Sequence, residues 1–318
     1  MNLLIVIVNY RTVVLTVDCL RSLATEVEAM PGTKVVVTDN ASGDNSVARL
    51  QAALAENGWS GWASVQPLEH NGGFASGNNA AIRPALAAAD PPRYVLLLNP
   101  DTIILPGALR ALVAFMDGRP EVGLAGSHLE EADGTATVSA FRFPTVLGEV
   151  EGGLRLGAAT KVLARWAVCP PIPTSARAVD WVAGACLIIR REVFEAVGLL
   201  DERYFMYFEE VDFCLRARRA GWPCWYVPEA RVVHLIGQSS GVTDLARPRT
   251  RRPAYWFHAR RRFFLTHYGR ARTVLADLGW ASAYATYRAR RFLQRKPDAD
   301  PQWFLLDFVR HNFLPVRE

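Results

Sequence analysis

The chain has 318 residues, half of them hydrophobic and 21% charged. That composition excludes a disordered, fibrous or disulfide-stapled protein and leaves room for one large α/β domain with an appendage, or two modest domains. The net charge of +5 is unevenly placed, because Arg247 to Lys296 hold fourteen Arg and Lys residues against one acid, Asp277, and the remainder is therefore net acidic.

Leu3 to Val8 is a continuous apolar run that suits a strand buried on both faces of a parallel sheet. A helix is expected from Val13 to Met30, closed by Pro31-Gly32, and then a strand over Lys34 to Thr38 that ends on Asp39-Asn40-Ala41-Ser42. A helix from Ser46 to Glu56 and a strand over Ala63 to Gln66 continue the alternation, which argues for an α/β fold with strands at the centre. Asn71-Gly72-Gly73-Phe74-Ala75-Ser76-Gly77-Asn78-Asn79 then leads into an alanine-rich helix. Tyr94 to Leu98 reads as another buried strand delivering Asn99-Pro100-Asp101 at its tip, with a helix from Pro106 to Met116 after it.

Gly123 to Pro173 is weakly periodic and reads as an irregular excursion with edge strands and a loop. Trp181 to Arg190 is expected as one strand, Arg191 to Val197 as a short helix, and Glu209 to Ala220 as a helix stopped by Gly221. Trp225 to Pro228 and Arg231 to His234 look like two closing strands. Beyond residue 240, arginines interleave with Trp256, Phe257, Phe263 and Phe264 in a helical region, and a second arginine-rich helix is expected from Trp280 to Phe292. That region, residues 241–318, suits an anionic membrane surface with the rings in the interface, or packing against the body or a second subunit as in a homodimer. Nucleic acid is not expected as a partner, since no helix-turn-helix or zinc pattern accompanies the charge.

The start of the chain shows no positive leader, and its apolar run is far short of the ~20 residues of a membrane helix, so a cytoplasmic protein with peripheral membrane contact is expected. The cysteines, Cys19, Cys169, Cys186, Cys214 and Cys224, lack the close pairing of a zinc knuckle or redox site and read as buried thiols.

Two carboxylates, Asp39 and Asp101, fall at the ends of separate buried strands, where ligands bind in parallel sheets. A carboxylate there accepts hydrogen bonds from a base or ribose, or holds a divalent cation that bridges phosphates, although turns and helix caps use Asp as well. Glu209, Glu210 and Asp212 put three carboxylates in four residues after an aromatic stretch, Tyr204 to Phe208. Burial and mutual repulsion there would raise the pKa of any carboxylate toward that of a general base, while a helix start alone would account for one or two of them. His234 with Asp101 would complete a mixed nitrogen and oxygen metal site. The chain has no HExxH pattern, no GK[S/T] phosphate loop and no dinucleotide GxGxxG, which sets aside a zinc protease, a P-loop enzyme and a nicotinamide enzyme.

Asn9-Tyr10, Asp39-Asn40-Ala41-Ser42, the segment Asn71 to Asn79, Asn99-Pro100-Asp101, Gly184-Ala185 and the segment Phe205 to Arg216 together resemble the family 2 glycosyltransferases with the GT-A fold, nearest to bacterial rhamnosyltransferases that use dTDP-L-rhamnose. The resemblance spans residues 1 to about 240. It implies a catalytic domain over residues 1–240 with a Rossmann-like mixed central sheet, flanking helices and a helical C-terminal extension. It implies an inverting transfer of a sugar from dTDP-L-rhamnose to a glycan or polyprenyl-diphosphate-linked saccharide, with Mg²⁺ or Mn²⁺ as cofactor. UDP-galactofuranose and GDP-mannose are alternative donors, and a non-catalytic carbohydrate-binding or assembly subunit on the same scaffold is the competing class. By the resemblance, Asn9, Tyr10, Asp39, Asn71, Gly73, Phe74, Asn78, Asn99 and Asp101 would line the nucleotide and donor pocket, with Asp101 and His234 on the metal. Gly184, Ala185, Phe208 and Glu209 would face the acceptor. Glu210 stands where the family has the second acid of a Glu-Asp pair, the usual base, and Glu209 remains its rival. Asn99 replaces the first Asp of the family's DxD motif.

Overall fold

The computed structural model describes residues 1–235 and 250–314. The expected boundary at residue 240 lies outside the described residues. In chain order, β1 (Leu3–Asn9), α1 (Val13–Glu28), β2 (Thr33–Asp39), α2 (Ser46–Glu56), β3 (Ala63–Pro67), α3 (Gly73–Leu86) and β4 (Tyr94–Leu98) alternate. Then come β5 (Thr102–Ile104), α4 (Ala108–Asp117), β6 (Leu124–Glu130), β7 (Ala136–Thr137), β8 (Ala140–Phe141), α5 (Val146–Leu154) and α6 (Gly157–Leu163). β9 (Arg177–Val179), β10 (Trp181–Val182), β11 (Cys186–Arg190), α7 (Arg191–Val197), α8 (Glu209–Arg219) and β12 (Cys224–His234) follow, with α9 (Ala254–Leu293) and α10 (Phe304–Phe313) at the end. These elements form two compact units, the first of residues 1–141, 171–205 and 209–235, the second of residues 142–170, 206–208 and 250–314.

The first unit is built on a mixed sheet in the order β3-β2-β1-β4-β11-β6-β12-β5. β1 to β4 pair in parallel, which is why β1 and β4 are apolar at nearly every position: both faces are covered. β11 runs antiparallel to β4 and β6, and β12 runs parallel to β6 and antiparallel to β5. The pairing of β12 with β5 sets His234 opposite Thr102, one residue past Asp101.

Several sequence expectations are corrected here. β6 is an interior strand, not part of an irregular excursion; its small residues hide it, and Gly126 is small because a Cβ there would lie 2.5 Å from the Val182 side chain. The expected strand over Trp181 to Arg190 is broken at Gly184-Ala185 into β10 and β11. The two expected closing strands are one, β12, with a register shift between Val227 and Arg231. α3 begins at Gly73, inside the polar motif, not after it. All five cysteines are free, four of them buried, but Cys169 is exposed.

In the second unit, α5 packs along α9, where Gly153 and Gly279 allow contact too close for larger residues: a Cβ on Gly153 would lie 2.8 Å from Ala283 Cβ, and one on Gly279 2.8 Å from Val150 Cγ2. α9 is interrupted at Gly269 (φ 77°, ψ 171°), a conformation that suits glycine, so it acts as two helical arms. Phe257, Trp280, Tyr284, Phe304 and Phe308 form an aromatic core. Phe257, Phe263 and Phe264 are buried, which overturns the expectation that these rings meet a membrane. Many of the arginines are internal as well. Arg260, only 2% exposed, donates to Glu149 at 2.7 and 2.9 Å and to Asp277 at 2.6 Å, while Arg251 pairs with Asp307 and Arg291 with Asp298 and Asp300.

Candidate active site

The first unit gathers its polar strand ends on one side of the sheet. Asn9, at the end of β1, is fully buried, and its Nδ2 donates to Asp39 Oδ2 at 3.1 Å, while its Oδ1 accepts from the hydroxyls of Thr12 and Thr16. Asp39 also accepts from the Ser42 backbone N–H at 3.1 Å and the Ser42 hydroxyl at 2.7 Å, so this corner is a closed hydrogen-bonded turn. Beside it the Arg11 guanidinium lies over the Tyr10 ring, at 5.2 Å from its centroid. Tyr10 itself is 37% exposed.

Asn40 Nδ2 joins this corner to the glycine motif by donating to Asn71 Oδ1 at 2.9 Å and to the Gly73 carbonyl at 3.0 Å. Asn71 Oδ1 also accepts from the Gly73 N–H. Gly73 has φ +85°, and a Cβ there would lie 1.8 Å from the Phe205 carbonyl oxygen, which accepts the Phe74 N–H at 2.9 Å. Gly77, one turn on, presses against Val8 of β1. Asn78 sits in this first stretch of α3 with Nδ2 bound to the Phe74 carbonyl, while its buried Oδ1 and that of Asn40 have no partner among the described residues. Buried acceptors without a partner are uncommon in a folded interior, and these two single out the end of β2 and the start of α3 as a candidate binding region. Gly73→Ala is expected to cost about 1–3 kcal/mol of stability, measured by thermal unfolding.

Asn99-Pro100-Asp101 follows β4. The Asn99 N–H donates to the Ala185 carbonyl at 2.9 Å, and Thr102 Oγ1 donates to the Asn99 carbonyl at 2.7 Å. Asp101, 1% exposed, has Oδ1 3.4 Å from His234 Nε2, and Asn99 Nδ2 lies 3.4 Å from the same nitrogen. The pair expected on a metal is thus brought together, one carboxylate and one imidazole, a donor set that suits Mn²⁺ or Mg²⁺ when phosphate oxygens and water complete the shell. Among the described residues no cluster of three or more His, Cys, Asp or Glu forms a fuller cage.

Glu209 and Glu210 open α8. Two consecutive non-glycine residues in the left-handed region, Tyr207 (φ 72°) and Phe208 (φ 69°), immediately precede them, a costly backbone of the kind that functional sites keep. The two glutamates differ in their surroundings. Burial and the neighbouring Glu210 charge hold Glu209 well above the ordinary glutamate range. Burial also lifts Glu210, but the N–H groups of Gly184, Glu210 and Val211 oppose it, and its pKa is pushed up to about 7. Glu209 Oε2 and Glu210 Oε2 have no hydrogen-bond partner among the described residues. A Cβ on Gly184 would lie 3.6 Å from both Glu210 Cβ and the Phe74 ring, which fixes Glu210, Gly184 and Phe74 as neighbours. Since Ala185 binds Asn99, the same short turn connects the glutamates to Asn99-Pro100-Asp101.

Two expected residues fall elsewhere. Asp212 takes Arg216 Nε at 2.7 Å and Tyr204 OH at 3.4 Å, and Arg216 also binds the carbonyls of Val197 and Leu199, so Asp212 locks α8 onto the preceding loop instead of meeting a substrate. Phe208 lies in the second unit, its ring 5.5 Å from Phe263. Sequence reasoning passed over Asn40 as a site residue; its position after Asp39 at a strand end was the available signal.

A family model described as glycosyltransferase like family 2 matches residues 2–262. The chain belongs to this family. Among curated members, it is 36% identical over 157 residues to the N-acetylglucosaminyl-diphospho-decaprenol L-rhamnosyltransferase of Mycobacterium tuberculosis, which covers 46% of this chain and 48% of that protein. It is 30% identical over 166 residues to rhamnosyltransferase WbbL of Escherichia coli, covering 51% of this chain and 60% of that one. The chain thus spans about half the length of the curated relatives it matches. Among solved structures it resembles the mannosyltransferase PcManGT from Pyrobaculum calidifontis in complex with GDP-Man and Mn²⁺, with a TM-score of 0.57 at 15% identity over 92% of this chain and 75% of that one. It also resembles GalNAc-T7 with UDP, GalNAc and Mn²⁺, with a TM-score of 0.60 at 15% identity over 99% of this chain and 58% of that one. The glycosyltransferase fold is therefore GT-A, a mixed central sheet flanked by helices with a helical C-terminal region.

Proposed function

We propose that the chain is an inverting glycosyltransferase that moves L-rhamnose from dTDP-L-rhamnose onto a hydroxyl of a glycan or polyprenyl-diphosphate-linked saccharide in cell-envelope polysaccharide synthesis. It works in the cytoplasm, at the inner face of the plasma membrane. The names of the M. tuberculosis and E. coli relatives, both rhamnosyltransferases, support the sugar, and the first also supports a lipid-linked acceptor. The observation that carries the chemistry is the glutamate pair beside Gly184, Glu209 buried and Glu210 half-buried, the latter with its pKa pushed up to about 7.

Glu210 is the base. It takes the proton of the acceptor hydroxyl as that oxygen bonds to the anomeric carbon, and the bond from that carbon to the diphosphate oxygen breaks on the opposite face, releasing dTDP. Glu209 stays protonated and keeps the local charge at one, because two carboxylates this close do not both ionise easily. Asp101 and His234 would hold a divalent ion, which supplies charge neutralisation on the departing diphosphate. Tyr10, Asp39, Asn40 and Asn78 orient the nucleotide end, and Gly73 lets the backbone approach it.

Calorimetric titration with dTDP, UDP and GDP, in Mn²⁺ and in chelator, tests this reading. dTDP is expected to bind about tenfold or more tighter than the others and to weaken when the metal is removed. A preference for UDP or GDP would move the donor to galactofuranose or mannose, and no binding of any of the three would favour a non-catalytic scaffold.

A further inference from the structure

The arm of α9 after Gly269 turns one face inward, with Trp280 and Tyr284 in the aromatic core, and leaves the opposite face bare. On that face Val274, Leu275 and Leu278 are 50%, 57% and 50% exposed, and Phe292 and Leu293, in the last turn, are 82% and 80% exposed. Their separations of three, four and multiples of a turn place them on one stripe, and the residues between them on it, such as Ser282 and Ala285, are small and also exposed. Nothing in the proposed chemistry uses this stripe.

Its charges decide what covers it. Arg270 and Arg272 stand exposed at its beginning, and Arg295 and Lys296 stand exposed just past its end. No carboxylate lies on the face: Asp277 is buried against Arg260, and Asp298 pairs with Arg288 and Arg291. A second copy of the same helix laid antiparallel would set Arg270 and Arg272 beside Arg295 and Lys296, and a parallel copy would set each cation beside itself. Both arrangements are repulsive, whereas an anionic lipid surface satisfies both ends at once. No helix among the described residues is long and apolar enough to cross a membrane, and this arm is built to lie along one, with apolar side chains at the acyl boundary and arginines among the headgroups.

We propose that the exposed stripe Val274–Leu293 of α9 is a docking face for an anionic lipid bilayer. It is a different surface from the buried Phe257, Phe263 and Phe264 that the sequence first suggested, and the proposal does not depend on the donor sugar.

Flotation of the full chain with vesicles of phosphatidylcholine, with and without about a third phosphatidylglycerol, tests it. The protein is expected to float with the anionic vesicles and about tenfold or more weakly with the neutral ones, with binding reduced in high salt. The variant Leu275→Glu/Phe292→Glu is expected to lose flotation about tenfold or more while keeping its unfolding temperature and its nucleotide titration. Arg270→Glu/Arg272→Glu provides a second variant that leaves the apolar face intact and should also bind less. Wild-type protein that stays with the buffer in both vesicle types would overturn the proposal. So would a dimer in solution that Leu278→Glu makes monomeric with vesicle binding unchanged, which would assign the face to a second copy.

Discussion

Glu210→Gln is expected to lower kcat by about 10²- to 10⁴-fold and to leave nucleotide affinity within about twofold, because the amide keeps the shape of the side chain and cannot take the acceptor proton. The corresponding change at Glu209 should be milder and of a different kind. Glu209 is held neutral beside Glu210, so Glu209→Gln keeps the charge of the pair and should leave the pH profile in place with a smaller loss of rate. In the wild type, kcat/KM is expected to rise with pH through about 7, as Glu210 gives up its proton. Stability moves the other way. A glutamate whose folded pKa is raised from 4.5 to about 7 is held neutral by the fold, so its contribution is present below 4.5 and is lost as pH climbs toward 7. Glu210→Gln should flatten that decline, which thermal unfolding from pH 4 to pH 8 would register. A flat rate profile with an unchanged kcat in the variant would remove Glu210 from the chemistry.

Arg260→Met should have the largest effect on folding. The guanidinium is almost wholly buried between Glu149 and Asp277 and lies 4.8 Å from the rings of both Phe264 and Phe308, so its loss leaves Glu149 without this cation and the buried Asp277 with the longer contact to Arg261 at 3.6 Å. Breaking such a pair from one side costs about 3–5 kcal/mol. The penalty should be largest at high pH and relax as the pH falls and the stranded carboxylates protonate. Adding Glu149→Gln and Asp277→Asn should recover much of the loss, since an uncharged group of similar volume removes the unpaired charge. Denaturant unfolding of the three proteins measures both effects. An Arg260→Met protein as stable as the wild type would show that the ion pairs contribute nothing to the second unit.

Much of the fold could be read from the residues because parallel strands covered on both faces are written as unbroken apolar runs. β1, β2 and β4 follow that rule, and each ends where polarity begins, which put Asp39 and Asp101 at strand tips. β6 escaped because Ala125, Gly126 and Ser127 are small, Gly126 so as to admit Val182, and smallness carries no period. The second unit escaped for a related reason. The weakly periodic segment 142–170 supplies α5, whose glycines let it lie against α9, and that contact converts an arginine-rich aromatic sequence from a surface into a core. Charge density along a chain does not reveal which arginines will meet a carboxylate brought from a hundred residues away. At the site, the pairing of Asp101 with His234 and the grouping of Glu210 with Gly184 and Phe74 were legible as residue types, while the capture of Asp212 by Arg216 required the helix geometry.

The central claim is most directly tested by incubating the chain and Mn²⁺ with an N-acetylglucosaminyl-diphospho-polyprenol acceptor and, in separate reactions, dTDP-L-rhamnose, UDP-galactofuranose and GDP-mannose, then weighing the lipid product by mass spectrometry. Addition of one deoxyhexose from dTDP-L-rhamnose is expected, with an inverted anomeric configuration read by NMR of the released saccharide, and a far slower formation of that product by Glu210→Gln. An unmodified acceptor with all three donors, in protein that binds nucleotide normally, would contradict it.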